Sequence, residues 1–260
     1  MIIQSNQAAL LRVLVFVVLL ALLLALEFWR PRRRVTGGWH RRASNVGLIA
    51  LSTLVLRLLF PLGAVGFAAN WHYGLLHAVA APWLPATIAS LIVFDLAIYW
   101  QHRAFHYWPW LWRAHRVHHS DTAFDATLGV RFHPIEIVLS YGYKLAVIAI
   151  LGVPAGAVAI YEIALLAFSL FTHANIAIAP RVDRVLRRLV ITPDFHRIHH
   201  SIHRDELNAN FGNILSLWDR LFRTAHQAPH DEQATMKLGL ADFRNARAQR
   251  FGALLTQPFA

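Results

Sequence analysis

The chain has 260 residues, of which 57% are hydrophobic and only 15% charged, against roughly 25% charged residues in an ordinary soluble domain. It contains no cysteine, which excludes disulfides, thiolate metal sites, Fe–S clusters and thiol catalysis. The formal net charge of +11 accompanies no recognised nucleic-acid motif and no basic helix outside membrane loops, so its natural reading is membrane topology and lipid headgroups rather than nucleic acid.

The first apolar run, about Ala8 to Trp29, is long enough for a bilayer core, which takes roughly 20 residues. Met1 to Gln7 lack Lys and Arg, and no small-residue cleavage pattern precedes Arg30, so a retained span is expected rather than a signal peptide. Arg30, Arg32, Arg33, Arg34, Arg41 and Arg42 follow and predict a cytoplasmic loop. A second span, about Val46 to Ala69, is interrupted by Arg57 and Pro61, as a kinked helix or a hairpin dipping into one leaflet would be. The third, about Trp83 to Trp100, runs into a cluster of Trp and Tyr that suits the headgroup level. Pro134 opens an apolar stretch to Val153 and Pro154 another to about Ile178, together a helical hairpin. Lys144 and Glu162, on its opposite arms, suit an ion pair. The prediction is an all-α integral membrane protein with four to five spans and a cytosolic helical cap. It forms one unit over 1–260: spans in 8–81, a core in 82–225 and a cytosolic tail in 226–260.

Three histidine boxes carry the chemistry: His102-x3-His106, His115-x2-His118-His119 and His196-x2-His199-His200. Residues three and four apart share a helical face, so each box can aim at one centre. Neutral imidazole suits Fe, Zn, Cu and Ni. A closed site takes about four ligands per ion, so eight imidazoles suggest two ions. No HExxH motif supplies a zincin-type glutamate, and the paired Glu and ExxH ligands of soluble di-iron bundles are missing. With five crossings, all three boxes fall on the cytoplasmic side.

These residues resemble the fatty acid hydroxylase / sterol desaturase superfamily of integral membrane oxygenases. The matching segments include Asp95 to His106, Leu111 to Ser120, Arg131 to Glu136, Thr192 to Ser201, Asn210 to Gly212 and Leu217 to Phe222. The resemblance covers about Leu91 to the C-terminus. It implies two iron ions held by the eight box histidines, O2 as co-substrate and a C–H bond of a membrane lipid as target. It also implies His173 as a ninth ligand. Ala177, one turn on, has no donor where the family often places a further histidine, and His203 is a candidate substitute.

Several neighbours complete the expected site. His133, held extended by Pro134, is read as a group behind the ligands or on the substrate side, with direct ligation as the alternative. Asp95, seven residues before His102, is expected to orient a ligand through its second ring nitrogen; Glu136 and Asp219 are candidates for the same task. His40, His72, His77, His226 and His230 lack box spacing and are read as surface or interfacial. No GxGxxG or P-loop opens a βαβ unit, so electrons are expected from a separate ferredoxin or cytochrome b5-type donor with its reductase. Desaturation on the same site is the nearest alternative to hydroxylation. A haem- or zinc-binding membrane protein is the alternative from another class.

Overall fold

The computed structural model describes residues 2–34 and 38–260. Residues 35–37, inside the expected basic loop, lie outside the described residues. Helices α1 (Ile2–Trp29), α2 (Gly38–Leu59), α3 (Gly63–Asn70), α4 (Leu75–Ala78), α5 (Trp83–Tyr107), α6 (Pro109–His119), α7 (Pro134–Leu151) and α8 (Ala155–Thr172) come first. Five short ones follow: α9 (Pro180–Leu186), α10 (Pro193–His199), α11 (Arg204–Leu207), α12 (Leu217–Leu221) and α13 (Phe251–Thr256). Strand pairing among the described residues is limited to isolated bridges such as Val190 with Leu215.

Five segments are long and apolar enough to cross a membrane: Leu10–Trp29, Gly38–Ala78, Trp83–Tyr107, Pro134–Leu151 and Ala155–Thr172. Many of their large apolar side chains point outward. Leu10, Leu14, Leu58 and Ile150 are each more than half exposed, an arrangement that water would penalise and lipid would not. The protein is therefore an all-helical membrane protein. The second span is two helices, broken around Pro61, where Gly63 takes a positive φ of +66° that suits glycine. Arg57 on α2 is exposed, in keeping with snorkelling.

The membrane-embedded core lies between α3, α5, α7 and α8. There Phe94 stacks on Tyr161 with ring centres 4.9 Å apart, and Ile148, Ala157 and Val158 are fully buried. The expected ion pair between the hairpin arms is present: Lys144 Nζ lies 2.7 Å from Glu162, and Arg12 of α1 joins it at 2.6 Å. Helix α8 ends at Thr172, about two turns short of the expected Ile178, and His173 caps it. Residues 226–260 fold back onto the core rather than trailing away: Leu254 is fully buried, and the Gln257 side chain accepts from the Ser120 hydroxyl at 2.9 Å.

Arg41 does not sit in the basic loop. It is 3% exposed on α2 and clasps Asp121 at 2.7 Å and Asp125 at 2.6 Å. Asn45, one turn on, donates to Thr127 at 3.1 Å and accepts from Arg131 at 3.2 Å. This polar face of α2 fixes the segment Asp121–Arg131 that follows the second box. Burial works against the Asp125 carboxylate, yet Arg41 beside it, with hydrogen bonds from Arg41, Thr127 and Arg42, holds its pKa at about 2. Arg32 pairs with Asp194 at 2.9 Å and Arg33 donates to the Met236 carbonyl at 2.8 Å, so the basic loop docks on the same side as the third box.

Candidate metal centre

Box one lies on the last turn of α5, box two on α6 and box three on α10 and its C-cap. Proline stands at the start of α6, α7 and α10 as Pro109, Pro134 and Pro193. There its fixed φ starts a helix and its missing N–H is not needed. Each box then presents its histidines on one inward face.

Nine histidines converge in two groups. His102, His106, His115, His119 and His199 form one; His118, His173, His196 and His200 form the other, and within each group one donor atom per residue lies within 4.8 Å of every other. All of the second group are buried. Placement of His173 there rests on a close approach at Gly129. A side chain at that position would run into the Ser169 carbonyl at 2.2 Å, and this same carbonyl receives the His173 Nδ1 proton at 2.7 Å.

Hydrogen bonds to the outer nitrogens set the tautomers. His102 Nδ1 donates to the Phe211 carbonyl at 2.8 Å, and His199 Nδ1 to the Ala209 carbonyl at 2.6 Å. His115 Nδ1 faces Glu136 Oε1 at 2.7 Å. In neutral imidazoles these bonds leave Nε2 unprotonated and facing inward. His102 and His199 then bring two bare Nε2 lone pairs to 3.0 Å, a separation that no hydrogen bond between them can justify. His173 Nε2, left bare by the Ser169 bond, meets Nε2 of His118, His196 and His200 at 3.1, 3.0 and 3.2 Å, and its single lone pair can accept a proton from only one of them. Such spacings approach the roughly 3.3 Å edge of a tetrahedron with 2.0–2.1 Å metal–nitrogen bonds. A cation at each focus resolves both contacts, so the donor sets fit two metal ions.

Burial keeps the rings neutral. His118, His119, His196, His199 and His200 are all held well below the ordinary histidine pKa by desolvation and by neighbouring imidazoles. His173 falls to about 4, mainly through burial. A ring that resists protonation remains available to a metal at neutral pH.

The outlying candidates are placed differently from one another. Glu136 contacts a box histidine directly. Asp219 acts at one remove: its carboxylate accepts from the amides of Phe211 and Gly212, both at 2.8 Å, and so positions the carbonyl that receives the His102 proton. Gly212 leaves room for it, since a Cβ there would lie 2.8 Å from Asp219 Oδ2. Asp95 reaches no histidine and instead accepts from Trp218 Nε1 at 2.8 Å and Leu215 N at 3.1 Å. The shared helical face with His102 did not bring them together, because the Phe211 carbonyl occupies the Nδ1 side of the ring. His133 caps α7 by accepting from the Ile135 amide at 3.1 Å. His203 lies apart, 3.2 Å from Asp231. Ala177 contributes only its amide, to the Arg30 carbonyl.

Glu27 escaped the sequence reading because it is a single acid within an apolar run. It is 1% exposed and accepts from Ala126 N at 2.7 Å and Asn175 N at 2.9 Å, tying α1 to the residues beside His173. A buried acid within a span is the signal that would have flagged it.

Two cavities adjoin the histidines. The inner one, about 150 Å³, is lined by His102, His115, His118, His173 and His196 on one side and by Ile98, Phe132, Ile137 and Leu165 on the other. The outer one, about 980 Å³, opens among Trp100, Tyr107, Trp108, Trp110, Arg103 and Arg204 and reaches His106. Gln101 and Phe105 line both, and Gln101 bonds Ser140 across the divide.

The chain is similar in sequence to known proteins. The fatty acid hydroxylase family profile matches residues 87–224. Ornithine lipid hydroxylase OlsE of Rhizobium tropici is 31% identical over 174 residues, covering 66% of this chain and 50% of that protein. Human alkylglycerol monooxygenase is 25% identical over 146 residues, 55% of this chain and 31% of the relative. A very-long-chain aldehyde decarbonylase, GL1-6 of Oryza sativa subsp. indica, is 24% identical over 143 residues, 52% of this chain and 22% of the relative. The chain thus spans half or less of the length of these relatives. No solved structure matches it. The match covers more than half of the chain and all three boxes, and the chain belongs to the fatty acid hydroxylase family.

Proposed function

We propose that the chain is an O2-dependent lipid hydroxylase that holds two iron ions on its nine converging histidines and oxidises a C–H bond of a membrane lipid. The observation that carries this reading is the set of inward Nε2 atoms with an apolar cavity on their membrane side. Iron on an all-nitrogen ligand set of this kind supplies the reduction of O2 and the attack on an unactivated C–H bond.

The protein's own part is positional. Ile98, Phe132, Ile137 and Leu165 form a wall that excludes water and holds a hydrocarbon chain against the histidines. Glu136 retains the His115 Nδ1 proton and so keeps the ring's lone pair aimed inward. The carbonyls of Phe211, Ala209 and Ser169 do the same for His102, His199 and His173. The outer cavity, ringed by tryptophans suited to the headgroup level, gives a lipid its approach past Gln101 and Phe105.

The site faces the cytoplasm in this reading, because the arginine-rich loop docks beside it and such loops remain inside. Electrons come from a separate acidic donor, a ferredoxin or cytochrome b5 with its reductase, drawn to the net positive chain. Labelled O2 supplied to cells expressing the chain with such a donor should place label in a membrane lipid, and His118→Ala should abolish it. Bound iron and a working reductase with no labelled lipid would refute hydroxylation; a new double bond without label would indicate desaturation.

A further inference from the structure

A second group of metal-binding side chains lies outside the nine-histidine centre. Asp205 on α11 and His226 and His230 on the segment after α12 bring one donor atom each within 4.8 Å of one another. Asp205 and His230 are exposed and His226 is half-buried, so an ion can reach them from solvent. His230 Nε2 already lies 2.6 Å from Asp205 Oδ2, and the His226 and His230 rings are 5.6 Å apart.

Buried groups fix the backbone beneath this trio. Asn210, fully buried, accepts from the His226 amide at 2.7 Å and donates to the His226 carbonyl at 3.0 Å. Glu206, also fully buried, accepts the His230 amide at 2.5 Å through Oε1. Its Oε2 is buried with no hydrogen-bond partner, next to Asp205 in the chain. The two segments are thus held in register beneath the three donor side chains. Two imidazoles and a carboxylate with a solvent-facing fourth position make a donor set that suits Zn2+.

We propose that Asp205, His226 and His230 form a surface site for a divalent transition metal of the zinc class, distinct from the buried centre. The ion replaces the proton between His230 and Asp205 and recruits His226. The site clasps the two ends of the segment that carries the Ala209 and Phe211 carbonyls.

The test uses full-length, iron-loaded protein in detergent, equilibrated with Zn2+ and analysed for both metals by mass spectrometry. Wild type should retain one zinc per chain beyond its iron. His230→Gln and Asp205→Asn, both at exposed positions, should each lose that zinc with iron content unchanged. His72→Gln, at an exposed position remote from the trio, should keep it. Equal zinc in wild type and both trio variants, or zinc retained by wild type only at the expense of iron, would overturn the proposal.

Discussion

His115 on α6 and Glu136 on α7 meet through a 2.7 Å contact between Nδ1 and Oε1, both side chains buried. In the proposed function the carboxylate fixes the ring with its other nitrogen toward the centre, the usual task of a carboxylate behind a metal-bound histidine. Removing it as Glu136→Ala is expected to lower metal affinity by about 10–100-fold. Glu136→Gln, which retains an acceptor but not the charge, should fall between. Iron retained against a graded chelator measures both, and an unchanged retention curve for Glu136→Ala would disprove the assignment.

His173 and His203 make opposite predictions from similar positions in the sequence. His173→Ala removes one of four donors in the second group and should reduce bound iron from two ions per chain toward one. His203→Ala should leave iron content at the wild-type level, because that ring pairs with Asp231 at the surface. Metal analysis of the two purified variants compares them directly.

Arg41 bears on stability rather than chemistry. Arg41→Met leaves Asp121 and Asp125 buried without their principal partner, a change that typically costs about 3–5 kcal/mol. The thermal midpoint should fall well below wild type. The pH dependence follows from the sign of the Asp125 shift. Its folded pKa of about 2 lies below the unfolded value of about 3.9, so its contribution is fully present above the latter and lost as pH falls through the former. In the variant, burial without the guanidinium raises the folded value, and acid unfolding should begin at a higher pH. An acid limb that coincides with wild type would contradict this.

The inner cavity sets where a chain can sit. Leu165→Trp fills the wall opposite the histidines and should displace the reacting carbon, at a cost on the order of 10²-fold in turnover if the shift is about 1 Å. Iron content should remain normal. Full turnover with unaltered product would show that substrate approaches by another route.

Much of this architecture is legible in the chain because it is periodic. One-turn spacing put each box on a single helical face, and runs of about twenty apolar residues marked the spans. Periodicity assigns a face but not a distance. Asp95 shares a face with His102, yet its carboxylate reaches Trp218 instead. Arg41 read as a loop charge because its partners are 80 and 84 residues away. His173 carried no spacing signal at all; its place came from resemblance, and the contact that aims it depends on Gly129. The outlying histidines His226 and His230 looked isolated because the carboxylate that lies near both, Asp205, is more than twenty residues upstream, across α12.

Glu27 bears on the order in which the protein is made. Its side chain rests against amides 99 and 148 residues further along, the second only two positions beyond His173. Helix α1 is made before α8, so one of the two amides that meet its buried acid is present only once residue 175 has emerged. Three of the nine histidines, His196, His199 and His200, are translated later still. Under the proposed function the centre can be loaded only after these residues have emerged, and a ribosome stalled between residues 126 and 175 would leave Glu27 with one of its two amide partners and the centre unable to close.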